Sequence, residues 1–124
     1  MKTTETTLFK LTEFDYTLDE LFKFITGTYK IATLQNATYD DIVRYFGEPS
    51  IYYNTMNTRD GKVHVEWIFE YNGQPFTIYD WKTFDRDYTL QQLDRWSIGG
   101  KQPDPEFFNA LQNEFSPKSI TINY

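Results

Sequence analysis

The side chains with the clearest chemical potential are His64 and Asp80, which lie on two strand-like segments joined by Asn72-Gly73. Residues 62–82 read KVHVEWIFEYNGQPFTIYDWK, with apolar positions alternating on both sides of that dipeptide. Asn-Gly favours a two-residue hairpin of type I′, because both turn positions need a positive φ that Asn tolerates and Gly adopts easily. This turn fixes the register and predicts that Asp80 faces Val65.

The predicted register divides the hairpin into two faces. The apolar face should be the core side, and its pairs are Tyr71 with Gln74, Phe69 with Phe76, Trp67 with Ile78, and Val65 with Asp80. The mixed face should meet solvent, a helix edge or a partner, and its pairs are Glu70 with Pro75, Ile68 with Thr77, Glu66 with Tyr79, and His64 with Trp81.

Asp80 is the exception on the apolar face, because a carboxylate pointing into a core is costly unless it is paired. One interpretation is structural: Asp80 lies near the rim of the sheet and accepts hydrogen bonds from backbone amides, a tyrosine hydroxyl or Arg95. The other is functional: Asp80 faces a ligand in a mouth at the end of the sheet.

His64 is the one histidine of the chain and is expected to be a surface partner of Trp81. Catalysis would need a base and a nucleophile to converge on it, and the scattered serines form no recognisable elbow or triad. A metal would need Glu66 or Glu70 as further ligands, and one His with carboxylates on a strand face is a weak signal. We therefore expect no metal and no cofactor.

Gly99-Gly100-Lys101 stands just before a helix start at Pro105 and could present backbone amides and an ammonium group to an anion. The segment lacks the GxxxxGK[ST] spacing of a phosphate-binding loop, so chain reversal is the competing interpretation. Tyr or Trp rings could stack on a base bound there. The candidate ligand-binding residues are Asp80, Trp81, Lys82, Arg95, Gly99, Gly100 and Lys101.

The remaining patterns predict a single α+β domain over residues 1–124. Its antiparallel sheet should have about four to five strands, with a β-meander at about 50–98. Two short N-terminal helices and one C-terminal helix should pack on one face. The predicted helices are 18–26 behind a capping box of Thr17 and Glu20, 39–46 behind the same pattern at Thr38 and Asp41, and one from Pro105 behind Asp104. The buried stripe of the third helix should be Phe107, Phe108, Leu111 and Phe115. The other predicted strands are 6–13, 51–58, 93–98 and 120–124, with 28–37 either strand or loop and 83–92 a loop with a helical turn near Leu90.

Composition narrows the function classes. The 124 residues carry 18 acidic and 12 basic side chains, a net charge of −6, and 19% aromatic residues. The acidic balance and the absence of a basic cluster argue against binding of a nucleic-acid backbone. No cysteine is present, which fits a reducing compartment. Without a recognisable signal peptide or membrane span, we expect a cytoplasmic protein that does not bind membranes.

The segments FGEPS at 46–50, DGKVHVEWIFEYNG at 60–73, FTIYDWK at 76–82 and WSIGG at 96–100 resemble a pattern found in small accessory proteins of phages and large DNA viruses. The similarity covers about half of the chain. Ser97 stands where that pattern would have His, which weakens an acid–base role at this position. The resemblance implies a role against the host, in the host cytoplasm.

These observations leave several functions open. The leading hypothesis is a non-enzymatic counter-defence protein that masks a host protein, as anti-CRISPR proteins do, through an acidic, Tyr-rich surface; DNA mimicry is a variant. The alternative is a sponge for a small nucleotide-type signalling ligand, held between the Gly-Gly loop and the hairpin rings. A small enzyme using Asp80, Glu66 or His64 is the third. Edge strands would also permit a homodimer.

Overall fold

A computed structural model describes residues 8–12, 15–53, 62–83, 85–116 and 118–124. This part of the chain is α+β, with four helices and one antiparallel sheet of seven strands. The strands are β1 (Leu8–Leu11), β2 (Tyr29–Gln35), β3 (Ile51–Tyr52), β4 (Val65–Tyr71), β5 (Gln74–Tyr79), β6 (Arg95–Gly100) and β7 (Thr121–Asn123). The helices are α1 (Leu18–Phe24), α2 (Tyr39–Phe46), α3 (Arg86–Gln91) and α4 (Pro105–Glu114).

The strands follow the spatial order β1-β4-β5-β6-β2-β7, and β3 also pairs with β4. The predicted meander is confirmed for β4, β5 and β6, which are neighbours in sequence and in space. The predicted number of four to five strands is too low, because β2 pairs with β6 and carries β7 on its other side. These long-range partners make residues 29–35 a strand where the local pattern was ambiguous.

The hairpin has the predicted turn and register. Asn72 and Gly73 have φ values of 54° and 76°, as a type I′ turn requires. The ladder pairs Trp67 with Ile78 and Phe69 with Phe76. All four of these side chains are at most 2% exposed, so the predicted core face is confirmed.

Helices α2 and α4 cover that core face. The ring of Phe107 in α4 stacks on Phe76, with the ring centroids 3.9 Å apart. Phe46, the last residue of α2, packs edge-on against Phe69 and Phe115. The predicted buried stripe of the C-terminal helix is confirmed, and its residues are Phe107, Phe108, Leu111 and Phe115.

The prediction that all helices share one face is wrong, because α1 belongs to a second core. Leu21 of α1 clusters with Ile68 and Tyr79, which lie on the mixed face of the hairpin. Helix α1 shields these two side chains from solvent. A helix edge was one of the three environments predicted for the mixed face. Glu66 on the same face is also fully buried, and it accepts a hydrogen bond from the Tyr53 hydroxyl at 2.6 Å.

Side-chain caps explain where the helices begin. Capping boxes form between Thr17 and Glu20 and between Thr38 and Asp41, as the sequence predicts. Eight of the 18 acidic residues lie at an N-cap or in a first turn, where they favour the positive end of the helix dipole. They are Asp19, Glu20, Asp40, Asp41, Asp85, Asp87, Asp104 and Glu106.

Several predicted boundaries shift. The first helix ends at Phe24 instead of 26, whereas 39–46 is confirmed. A six-residue helix, α3, occupies most of the predicted loop at 83–92. Of the strand predicted at 51–58, residues 51–52 are confirmed, and the remainder beyond Tyr53 lies outside the described residues. No helix in the described ranges is long and apolar enough to span a membrane.

Candidate functional site

Asp80 follows the last residue of β5 and is fully buried. Its Oδ1 accepts hydrogen bonds from the backbone N–H groups of His64 at 2.8 Å and Val65 at 3.1 Å. Its Oδ2 lies 2.7 Å from His64 Nδ1, and it accepts from the hydroxyls of Thr83 at 3.1 Å and Thr89 at 3.0 Å. The structural interpretation of Asp80 is therefore confirmed in its amide partners, and the ligand-facing one is wrong.

His64 is tied to this buried carboxylate instead of lying on the surface as a partner of Trp81. Its side chain is 17% exposed. Because Nδ1 faces the Asp80 carboxylate, Nε2 is the ring nitrogen left for another partner. No hydrogen bond from the described residues reaches Nε2, and the Thr83 hydroxyl lies 3.2 Å from Nδ1. The arrangement holds three chain segments together without presenting a nucleophile to the base.

The acidic residues beside His64 do not complete a metal site. Glu66 is buried and hydrogen bonded to Tyr53, and no three His, Asp or Glu side chains of the described segments converge closely enough to hold a metal ion. The role of this cluster is therefore structural, because the hydrogen bonds of Asp80 connect β4, the end of β5 and α3.

A cleft of about 350 Å³ lies next to this cluster. Strand β2, the segment after β5, helix α3 with the turn that follows it, and β6 all contribute to its walls. The lining residues are Lys30, Thr33, Trp81, Thr83, Tyr88, Leu93, Asp94, Arg95, Trp96 and Ser97. Thr83 belongs both to the cleft and to the set of donors to Asp80, so the buried carboxylate anchors part of the wall.

Sheet register explains two of the polar lining groups. Thr33 and Ser97 are direct partners in the ladder between β2 and β6, so their side chains share one face of the sheet. Leu34, the next residue along β2, is fully buried. The alternation therefore places hydroxyl groups in the cleft while their neighbours fill the core.

Trp81 is one of two exposed aromatic residues of the cleft, with Tyr88, and it is the exposed tryptophan of the chain. Its side chain is 44% exposed, whereas Trp67 and Trp96 are buried. The ammonium nitrogens of Lys62 and Lys82 lie 5.8 Å and 5.7 Å from the centre of the Trp81 ring, within the range of cation–π attraction. An indole that the core does not use is thus combined with positive charge.

Arg95 is held in place by a neighbour on β2. When the amide of Gln35 is oriented to satisfy its surroundings, its oxygen accepts from Arg95 Nη2 at 2.9 Å and from Nε at 3.2 Å. The guanidinium group keeps further N–H donors for a ligand. Lys30 lines the same cleft and makes no ion pair with a described residue.

The charge of the cleft is opposite to that of the chain. At least four of the 12 Lys and Arg residues line the cleft or flank its indole, although the net charge is −6. They are Lys30, Lys62, Lys82 and Arg95. The lining contains a single carboxylate, that of Asp94. The arrangement can therefore attract an anion and offer it a ring.

Trp81 and Arg95 line the cleft as ligand-binding candidates, and Lys82 stands beside Trp81, but the predicted Gly-Gly loop is wrong. Gly99 and Gly100 are buried in β6 and pair with both β2 and β5. A Cβ atom on Gly99 would lie 2.7 Å from Thr77 Oγ1, and one on Gly100 would lie 2.8 Å from Ile31 Cδ1. Close packing inside the sheet explains both glycines.

The first backbone N–H groups of α4, which follows that segment, are also hydrogen bonded within the protein. The carboxylate of Asp104 accepts from the backbone N–H groups of Glu106 at 3.0 Å and Phe107 at 3.4 Å. These N–H groups at the start of α4 are therefore not free to bind an anion. Lys101 is exposed and is not among the lining residues of the cleft.

Sequence reasoning missed seven polar or aromatic residues of the lining. They are Lys30, Thr33, Thr83, Tyr88, Asp94, Trp96 and Ser97. The alternation of polar and apolar residues in 30–35 is a signal that could have identified β2 and its exposed face. Nothing local indicates that β2 lies beside β6, so the convergence of these residues required the tertiary structure.

The Phe-Gly-Glu-Pro turn at 46–49 serves the scaffold. The indole N–H of Trp67 donates to the Gly47 carbonyl at 2.9 Å, and Lys10 Nζ donates to the Glu48 carbonyl at 2.6 Å. Hydroxyls of Tyr39 and Tyr52 both donate to Glu48 Oε1. Burial, together with the nearby Glu48 carboxylate, raises the pKa of both tyrosines, so the hydroxyls stay protonated.

Compared with protein family models, with curated proteins and with solved structures, the chain shows no significant match.

Proposed function

We propose that this protein is a binding protein that captures a small anionic ligand with a planar ring, of the nucleotide type, in the cleft beside Trp81. One observation carries the proposal: an exposed indole flanked by two ammonium groups opens onto a cleft that also holds Arg95 and Lys30. An acidic protein that concentrates positive charge around an unburied ring has a surface suited to this ligand class.

The physical fit supports the proposal. A planar base gains from stacking on an aromatic face, and a phosphate gains from charge-assisted hydrogen bonds to a guanidinium group that is already oriented. The volume of about 350 Å³ falls within the ~300–1,000 Å³ range of small-molecule sites. No described nucleophile is aligned with His64, which favours capture over turnover.

Tryptophan fluorescence and calorimetry with a panel of nucleoside monophosphates test the proposal. Trp81 is the exposed tryptophan, so a stacked base should quench mainly its emission. Arg95→Gln should weaken binding about tenfold or more, because it removes a charge-assisted hydrogen bond. Lys101→Gln is the matched control, since it also removes one exposed positive charge but lies outside the cleft lining.

Affinity should also fall as ionic strength rises, because salt screens attraction between exposed charges. Equal weakening by Arg95→Gln and Lys101→Gln would contradict the proposed location. No heat and no quenching with any nucleotide at millimolar concentration would contradict the ligand class.

A second candidate is capture of a host protein by an acidic, aromatic surface, as the viral resemblance implies. The observation that favours it is a groove of about 360 Å³ at β1, which has no strand partner on its outer side among the described residues. Its lining residues are Phe9, Lys10, Leu11, Asp15, Tyr16 and Glu70. Phe9 is 56% exposed and Tyr16 is 39% exposed.

The groove favours a protein partner, whereas the acidic residues give little support to DNA mimicry. Many of the acidic side chains are committed to helix N-termini, where they serve the fold. A partner retained by the wild type and by Trp81→Ser, but lost with Phe9→Ser and Tyr16→Ser, would support this candidate. Light scattering would separate it from homodimer formation at the same edge.

A further inference from the structure

We infer that the cleft selects guanine-type nucleotides and that Asp94 is the residue that determines this specificity. The inference rests on the proposed function and names the ligand class of the same site. It starts from a residue that anion binding alone does not explain: one carboxylate among the lining residues of a positively charged cleft.

Asp94 is exposed, and its carboxylate has no hydrogen bond or ion pair to any residue that the structure describes. Its backbone carbonyl accepts a hydrogen bond from the backbone N–H of Asn36 at 2.9 Å, and this bond fixes the chain at Asp94. It precedes Arg95, which Gln35 holds in turn. The carboxylate is therefore attached to an ordered backbone while its oxygens remain unused.

The Asp94 carboxylate should repel the phosphate of a bound ligand. It can strengthen binding only if another part of the same ligand donates hydrogen bonds to it. Guanine presents N1–H and the N2 amino group side by side on one edge, and a carboxylate can accept from both. Adenine presents an acceptor at N1 beside its amino group and cannot make this pair. Hypoxanthine keeps N1–H and lacks the amino group.

The other lining groups complete a nucleotide site. Trp81 offers its ring to the base, Arg95 and Lys30 offer positive charge to the phosphate, and the paired hydroxyls of Thr33 and Ser97 offer hydrogen bonds to the sugar. A guanine-type nucleotide would use every class of group in the cleft. An adenine-type nucleotide would offer the Asp94 carboxylate a single donor, its amino group, and would hold the N1 acceptor against the second carboxylate oxygen.

Calorimetry with guanosine, inosine and adenosine 5′-monophosphates tests the inference on the full chain. We expect the guanosine nucleotide to bind about tenfold to hundredfold more tightly than the adenosine nucleotide, since it offers the carboxylate one more hydrogen bond and each hydrogen bond to a charged group contributes roughly this much. The inosine nucleotide should fall between them, because it offers one donor, as adenine does, but no acceptor that faces the carboxylate. Asp94→Asn should remove most of this preference and leave adenosine monophosphate binding equal or slightly tighter.

Asp87→Asn is the control, because it removes an exposed carboxylate from the first turn of α3, outside the cleft lining. It should leave the preference unchanged. Binding of all three nucleotides with equal affinity, or a preference that survives in Asp94→Asn, would overturn the inference while leaving the proposed function standing. Failure of all three to bind would overturn the proposed function itself.

Discussion

Replacing Asp80 with alanine should lower the free energy of unfolding by about 3–5 kcal/mol, because a buried acceptor shared by five donors disappears. The backbone N–H groups of His64 and Val65 would lose the acceptor they share, and each buried unpaired donor costs ~1–3 kcal/mol. The two threonine hydroxyls are 2.8 Å apart and can pair with each other, so they add less.

Asp80→Asn should cost only about 1–2 kcal/mol. Its amide oxygen can still accept from both backbone N–H groups, and its NH₂ can donate to His64 Nδ1 after the ring changes tautomer. Asp94→Ala is the control, because it also removes a carboxylate but one without a described hydrogen bond, and it should stay within ~0.5 kcal/mol of the wild type.

Urea unfolding followed by circular dichroism measures these differences, and an unchanged m-value shows that the unfolded state is the same in each variant. A loss below about 1 kcal/mol for Asp80→Ala would refute the role of this carboxylate as the connecting group. Equal losses for the alanine and asparagine variants would refute the assignment of Oδ1 to the two backbone amides.

Three further predictions follow from single contacts. Thr77→Val should raise stability by about 1 kcal/mol in thermal unfolding, because Thr77 Oγ1 is buried without a hydrogen-bond partner among the described residues. Gly99→Ala should lower it by ~1–3 kcal/mol, since the new Cβ would lie 2.7 Å from that oxygen; a neutral result would contradict the tight packing. Burial alone would raise the pKa of Asp41, but hydrogen bonds from Thr38 and the charge of Lys118 outweigh it and hold that pKa below its usual value. Asp41→Asn should therefore lower the free energy of unfolding by ~0.5–1 kcal/mol at neutral pH. The difference between the two proteins should vanish as the pH falls below about 3.9 and through the depressed folded-state pKa. A loss that does not change with pH would exclude the charge of Asp41 as its cause.

The elements that the sequence predicted well are those controlled by near neighbours. The hairpin depends on the φ preferences of Asn72 and Gly73 and on the alternation beside them. The starts of α1, α2 and α4 depend on a cap and a residue two or three positions later. The weak predictions, β2 and α3, concern segments whose structure depends on distant partners.

The environment of Asp80 shows the same division at the level of one residue. Its place on the core side of the hairpin followed from the turn, and so did the requirement that a buried carboxylate be paired. Its partners did not follow, because Thr83 and Thr89 reach it through a helix that the sequence predicted as a loop with a single helical turn. The prediction for Gly99 and Gly100 was wrong for the opposite reason. Their local pattern indicates a loop, but both residues lie in a strand where close packing leaves no room for a side chain.

The sequence by itself determined the α+β composition, the hairpin and its core face, and the helix caps. These depend on backbone preferences and on contacts within a few residues. The sequence also named Trp81 and Arg95, which line the cleft, but it placed their ligand at the Gly-Gly segment. Only the tertiary structure decided that β2 lies beside β6 and that α1 covers the second face. It also decided that positive charge gathers around one exposed ring in an acidic chain, because strand order and charge placement depend on residues far apart in sequence.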